Sequence, residues 1–187
     1  MTDFQQFCNQ FSELNELASL ELVQTLKTKT FQKGDFILKS GMVCKHFYFV
    51  NSGLVKMFST KDDKEFIVRF FSENLMFTAF ESYLTQTASN FAIIALETTT
   101  VTLVSQKKLE ELCKKHHSIE TFFRKLVSVA TLKMTKRIRE MLEENATNRY
   151  NQFMIDNDLI VQRISLGEIA KYVGITQQSL SRIRNQK

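Results

Sequence analysis

Apolar residues near the start of the chain recur at steps of three and four: Phe4, Phe7, Phe11, Leu14 and Ala18. That spacing predicts an amphipathic helix laid on whatever follows it. From Phe31 the pattern changes to short runs rich in Phe, Ile and Val, punctuated by Lys33-Gly34-Asp35, Ser40-Gly41 and Asn51-Ser52-Gly53. Such runs predict strands joined by tight turns, over 36–38, 47–50, 54–58, 65–71, 91–96 and 98–104. The last contains Thr98-Thr99-Thr100-Val101-Thr102, whose β-branched side chains suit a pleated surface. Lys61-Asp62-Asp63-Lys64 reads as a charged hairpin tip, and 74–90 as a longer irregular crossing.

After Gln106 the period becomes helical, and from 118 to 144 nothing interrupts it. Ile119, Phe123, Leu126, Ala130, Met134 and Ile138 recur at helical steps, with Phe122, Val129 and Leu132 widening the apolar face. About 26 residues of helix span ~40 Å. A helix so long in so short a chain needs a partner for its second face, and a twin helix from another copy is the simplest supply. Ile119, Phe123, Leu126, Ala130, Met134 and Ile138 are therefore the expected dimerisation residues; packing within one chain is the alternative. Asn145-Ala146-Thr147-Asn148 reads as a hinge, which divides the chain into 1–112, 113–145 and 146–187.

Residues 166–183 carry the sharpest signal, two short helices about Gly174. Ile169 and Val173 form an apolar i, i+4 pair, and Ala170 is small where a second helix must come close. Gly174 supplies the positive φ of a short turn, Thr176 caps the second helix, and Ser165 caps the first. Leu180 and Ile183 turn inward, leaving Gln177, Gln178, Ser181 and Arg182 outside. That polar face without an acid suits base edges, because Gln pairs with adenine and Arg with guanine. Ser165, Lys171, Arg184 and Lys187 are placed to hold phosphates. The pattern predicts a DNA-reading helix-turn-helix with Ser165, Thr176, Gln177, Gln178, Ser181, Arg182 and Arg184 at the interface.

Charge sharpens this picture. Residues 1–113 carry a net −2 and residues 114–187 a net +7, so the whole positive excess lies beside the predicted polyanion surface. Composition adds exclusions: with no Pro, no Trp, five Gly and seventeen Phe, the chain is neither disordered nor collagen-like. No apolar run approaches the ~20 residues of a membrane span, and the start lacks a basic segment followed by an apolar one. A cytoplasmic location is expected. Cys8, Cys44 and Cys113 are too scattered for a disulfide framework or metal knuckle and read as buried thiols. Lys114 and Lys115 would give Cys113 a lowered pKa and a redox role on the alternative reading. No nucleophile, base and orienting group cluster, so no catalytic residue, cofactor or metal is expected, and the chain does not read as an enzyme.

The whole chain resembles the family of the cyclic-AMP receptor protein and the fumarate-nitrate reduction regulator (Crp/Fnr). The resemblance rests on Lys33-Gly34-Asp35, Ser40-Gly41 and Ser52-Gly53-Leu54, on the long helix, and on Ile164-Ser165-Leu166-Gly167-Glu168-Ile169-Ala170 leading into Leu180-Ser181-Arg182-Ile183. It implies an α+β fold: an N-terminal double-stranded β-helix, or jelly-roll, of the cyclic-nucleotide-binding-like kind, a long dimerisation helix and a C-terminal helix-turn-helix. It implies a homodimer on double-stranded operator DNA, with RNA polymerase and a small-molecule effector as open partners and no membrane.

Two departures qualify it. Thr78-Ala79 stand where the family's cyclic-nucleotide binders have Gly-Glu, and Ser89-Asn90 where they have Arg-Ser; no Arg occurs between Phe70 and Phe122. Without that carboxylate and guanidinium a cyclic phosphodiester loses its charge-assisted hydrogen bonds, so cyclic AMP is not expected to bind in the usual manner. The family pocket region instead holds Phe58, Phe70, Phe77, Thr78, Ala79, Phe80, Ser89, Asn90 and Phe91, lining suited to a small apolar effector or to none. His46, His116 and His117 read as solvated rather than ligating. The sequence ends at Lys187, three residues after Arg184, so a helix-turn-helix without a full wing is expected. The reading is a homodimeric, sequence-specific transcriptional regulator; the alternative is a ligand-binding or protein-interaction module whose C-terminal part no longer reads DNA.

Overall fold

The computed structural model describes residues 3–185. Helices α1 (Asp3–Asn9) and α2 (Glu16–Thr25) precede strands β1 (Lys27–Phe31), β2 (Phe36–Leu38), β3 (His46–Ser52), β4 (Val55–Lys61), β5 (Lys64–Phe71) and β6 (Met76–Phe77). Helix α3 (Phe80–Thr85), β7 (Ala92–Ala95), β8 (Thr99–Ser105), α4 (Gln106–Lys115) and the long α5 (His117–Glu143) follow. Helix α6 (Ala146–Asp156), a 3₁₀ turn at Val161–Arg163, α7 (Leu166–Val173) and α8 (Gln177–Asn185) complete the order. The strands form two four-stranded antiparallel sheets, β1-β8-β3-β6 and β2-β7-β4-β5, packed as a jelly-roll sandwich in a mixed α+β fold. No helix among the described residues is long and apolar enough to cross a membrane.

The turns follow from local chemistry. Asp62 and Asp63 both adopt positive φ, 50° and 58°, giving the two-residue left-handed turn whose twist matches a hairpin, here β4 to β5. Gly53, between β3 and β4, sits at φ +102°, and a Cβ there would lie 2.6 Å from the Thr99 Cα. Only glycine fits that approach.

Three expectations change. The opening stripe is not one helix: Asn15 caps α2 by accepting from the Ala18 amide, and Asn9 accepts from Leu14, so the chain turns between α1 and α2. The crossing at 74–90 is ordered, with β6 pairing Tyr48↔Phe77 and Phe49↔Met76 before α3 begins. β1 carries only one buried residue, Phe31, and so lacked an apolar signature in the sequence.

Two apolar clusters organise the molecule. The first fills the sandwich and draws in α1, α4 and the start of α5; Phe4, Phe7 and Phe11 meet Phe122 edge-on at 5.8–6.3 Å between centroids. The second joins the outer face of the roll to the C-terminal helices, with Leu54, Ile67 and Phe70 against Tyr150, Phe153, Ile169, Val173 and Leu180. Phe153 and Tyr172 lie 4.8 Å apart, and both approach Phe70.

Candidate nucleic-acid interface

The α7–α8 pair is built as its residues require. Ser165 and Glu168 form a reciprocal capping box: the Ser165 hydroxyl accepts from the Glu168 amide at 3.2 Å, and the Glu168 carboxylate accepts from the Ser165 amide at 3.2 Å. Gly174 ends α7 at φ +80°, its amide donating to the Ala170 carbonyl. Thr176 Oγ1 accepts from the Ser179 amide at 3.1 Å and opens α8. Ile169, Ala170, Val173 and Leu180 are buried, as the pattern predicted, and Ile183 packs against them.

This leaves Thr176, Gln177, Gln178 and Ser181 on one open surface, with Arg182 and Arg184 exposed along the same short helix. Neither arginine has an ion-pair partner among the described residues. Gly167 brings the start of α7 against α8: a Cβ there would meet Gln177 Oε1 at 3.4 Å and Ser165 Oγ at 3.8 Å. Ser165 is exposed at the start of α7, beside this approach. Lys171 does not join the α8 face, because its ammonium lies 3.4 Å from Glu65 of β5. Lys187 lies outside the described residues.

Side chains that the motif did not reveal hold the pair in place. Arg149 Nε of α6 donates to the Val173 carbonyl at 3.0 Å. Arg137 of α5 donates to the Tyr172 carbonyl and stacks on that ring, 3.9 Å from its centroid. Two guanidiniums thus satisfy the last carbonyls of α7, where the helix dipole favours positive charge. On the roll side, Arg163 donates two hydrogen bonds to Glu73, both 2.9 Å, and reaches Glu97 at 2.5 Å. The Arg163 bonds hold the Glu73 carboxyl down at about 2, and Glu73, then Glu97, push the guanidinium pKa up. Glu73 also accepts from the Gly53 amide at 2.8 Å, tying the glycine turn to the clamp. Lys56 adds contacts to Glu65 at 2.9 Å and Glu168 at 3.3 Å. Arg163 and Glu73 lie 90 residues apart in sequence, and Lys56 and Glu168 farther still, which is why no local pattern marked them.

The expected effector lining is dispersed. Phe70 is buried in the cluster shared with the C-terminal helices, and Phe58 packs against that cluster, so neither lines the interior of the roll. Phe77 and Ala79 are buried in the first cluster. Thr78 is buried with its hydroxyl donating to the His46 carbonyl at 2.9 Å, and Ser89 Oγ is bound to both backbone groups of Phe91. Phe80 and Asn90 are exposed, and Phe91 is partly buried. On α5, Ile119 and Leu126 are buried in the roll core and Phe123 packs against it; Ala130, Met134 and Ile138 stay exposed, beside Val129, Leu132, Met141 and Leu142.

Two titratable groups differ from expectation. His116 is buried, its Nε2 2.8 Å from Glu21 of α2, rather than solvated. Burial, then Glu120 and Glu110, pushes the Cys113 thiol up to about 11, against the lowering its neighbouring lysines suggested. Among the described residues no group of three or more His, Cys, Asp or Glu converges as metal ligands.

Residues 28–116 match the family described as the cyclic nucleotide-binding domain. No curated protein matches the chain in sequence. In structure it is similar to FixK2 from Bradyrhizobium japonicum, at TM-score 0.76 and 18% identity over 86% of this chain and 83% of that one. It is similar to the c-di-GMP responsive global regulator CLP of Xanthomonas campestris, at TM-score 0.75 and 14% identity over 92% and 91%. A protein from Eubacterium rectale described as a Crp/Fnr-family transcriptional regulator gives TM-score 0.73 and 17% identity over 92% and 83%.

Proposed function

From a chain that carries a cyclic nucleotide-binding domain and shares the fold of Crp/Fnr regulators, we propose a homodimeric, sequence-specific DNA-binding transcriptional regulator. The observation that carries this reading is α8: Gln177, Gln178, Ser181 and Arg182 stand exposed on an acid-free face beyond a capped turn. Gln and Arg on such a face read adenine and guanine, while Arg184 and the Ser165 hydroxyl hold phosphates. The open apolar half of α5 supplies the dimer contact, with Ala130, Met134 and Ile138 joined by Leu132 and Leu142; Ile119 and Leu126 serve the roll instead.

The roll takes no cyclic AMP in the usual manner. Thr78-Ala79 and Ser89-Asn90 align with the Gly-Glu and Arg-Ser of the nucleotide binders, the Thr78 and Ser89 hydroxyls are already bound inside the protein, and no Arg occurs between Phe70 and Phe122; these support the reading. The test of DNA reading is selection of random duplexes by the purified protein at about 150 mM salt, where purely electrostatic binding is suppressed. Enrichment of a two-fold-symmetric site with half-sites ~34 Å apart is expected. Binding that is salt-sensitive and enriches no sequence would overturn the proposal.

A further inference from the structure

Where the roll, α5 and the C-terminal helices meet, nearly every charge has a partner. Lys136 holds Asp156 at 2.6 Å and Glu140 at 3.6 Å, and Arg137 is spent on Tyr172 and Glu140. Arg69 of β5 and Lys133 of α5 are the exceptions, with neither an ion pair nor a hydrogen bond among the described residues. The Arg69 guanidinium lies 5.4 Å from the centroid of the Phe71 ring. Both side chains line one cleft of about 310 Å³, between β5, α5 and α6–α7.

The acids in that wall, Glu140 and Asp156, are already neutralised by Lys136 and Arg137, so the cleft keeps a surplus of two positive charges. Burial lowers the pKa of Arg69, and burial followed by the Arg69 charge lowers that of Lys133. Arg69 is half-buried and Lys133 exposed at the rim of the cleft, so it is the Arg69 charge, with a second cation beside it and no acid in contact, that costs the empty protein stability. A ligand of opposite charge removes that cost.

We propose that this cleft is a binding site for a phosphate or phosphomonoester dianion, gripped by Arg69 and Lys133. The forked guanidinium suits a phosphate oxygen pair, and an ammonium adds a point charge. A phosphomonoester is close to dianionic at pH 7, matching the surplus, whereas a phosphodiester carries one charge. The volume lies at the lower end of the range for small-ligand sites, and Val68 and the Tyr172 ring offer apolar wall to an organic group on the ester. The site is separate from the roll interior and from the exposed face of α8. Because it draws on β5, α5 and α7 together, its occupant bridges the roll to the carrier of α8.

The intact protein is titrated with inorganic phosphate at constant ionic strength, chloride being the balancing anion, while unfolding midpoint and ³¹P line width are followed. A saturable rise in midpoint with matching line broadening is expected. Arg69→Met and Lys133→Met each weaken phosphate binding by about tenfold or more, the loss of one charge-assisted bond. Arg69→Met also unfolds at a higher midpoint than the parent in phosphate-free chloride, an advantage that shrinks as phosphate is added. Lys107→Met, exposed on α4, changes neither. A parent whose midpoint and line width fail to saturate by on the order of 20 mM phosphate, where a millimolar site is filled, overturns the proposal. So does an Arg69→Met, Lys133→Met double variant that binds phosphate like the parent. Neither readout uses DNA, so the result stands apart from the regulatory reading.

Discussion

Arg163 is the polar fastening between the roll and the C-terminal helices, and replacing it with Met removes the charge while keeping most of the volume. The perturbed partner is Glu73, whose carboxyl falls from its ordinary value near 4.5 to about 2, chiefly through the Arg163 hydrogen bonds. By linkage such a drop is worth about 3 kcal/mol before screening. The Glu73 and Glu97 side chains are 37% and 38% exposed, so solvent cuts this to about 1–2 kcal/mol. The sign fixes the pH window: a depressed carboxyl stabilises fully above its unfolded value near 4.5 and loses that contribution as pH falls toward 2. Arg163→Met is therefore expected to lower unfolding free energy by about 1–2 kcal/mol at pH 7, and by roughly half as much at pH 3. Urea unfolding at one fixed protein concentration measures both. A penalty below about 0.5 kcal/mol at pH 7, within the range of an ordinary surface change, refutes the clamp. A penalty unchanged at pH 3 refutes the assignment of its strength to Glu73.

Gly53→Ala forces a side chain into the Thr99 backbone at positive φ and should cost at least about 2 kcal/mol in thermal unfolding. Leu132→Glu with Ile138→Glu, both on the open half of α5, should give a monomer by light scattering with far-ultraviolet dichroism unchanged. Arg182→Ala should relax base choice at one position of each half-site by about 1–3 kcal/mol, whereas Arg184→Ala should weaken all sequences alike and reduce the salt slope by about 1. With its thiol raised to about 11, Cys113 should resist iodoacetamide at pH 8 until the protein is unfolded.

The parts legible in the sequence are those fixed over a few residues. Ser165, Gly174 and Thr176 each answer a local backbone demand, a cap or a positive φ, and the structure meets each one where expected. The charged hairpin tip is of the same kind. Periodicity showed that α5 has an apolar stripe but not what covers it: Ile119 and Leu126 go to the roll, while Met134 and Ile138 face outward. Phe70 and Phe71 make the same point within a strand. They are neighbours on β5, yet Phe71 enters the sandwich core and Phe70 the cluster under α6 and α7. A strand covered on both faces loses the alternation that would have assigned them.

The attachments of α7 decide how the α8 face is held. Its last carbonyls are bound by Arg137 and Arg149, from α5 and α6, and Met141 of α5 lies 3.3 Å from where a Gly174 Cβ would stand. The helix bearing the open apolar face is therefore also the one that grips the turn before α8. Its other fixtures are to the roll, through Lys56 to Glu168, Lys171 to Glu65, Arg163 just upstream and the buried cluster with Leu54, Ile67 and Phe70. A movement of α5 relative to the roll cannot satisfy both sets unchanged. Either the guanidinium caps or the carboxylate clamp must yield, and the clamp, more than a quarter exposed at Arg163, is the more readily hydrated. Loosening the clamp still leaves Ile169, Val173 and Leu180 packed on Leu54, Ile67 and Phe70 of the roll, so the α8 face is held by the long helix and the roll together.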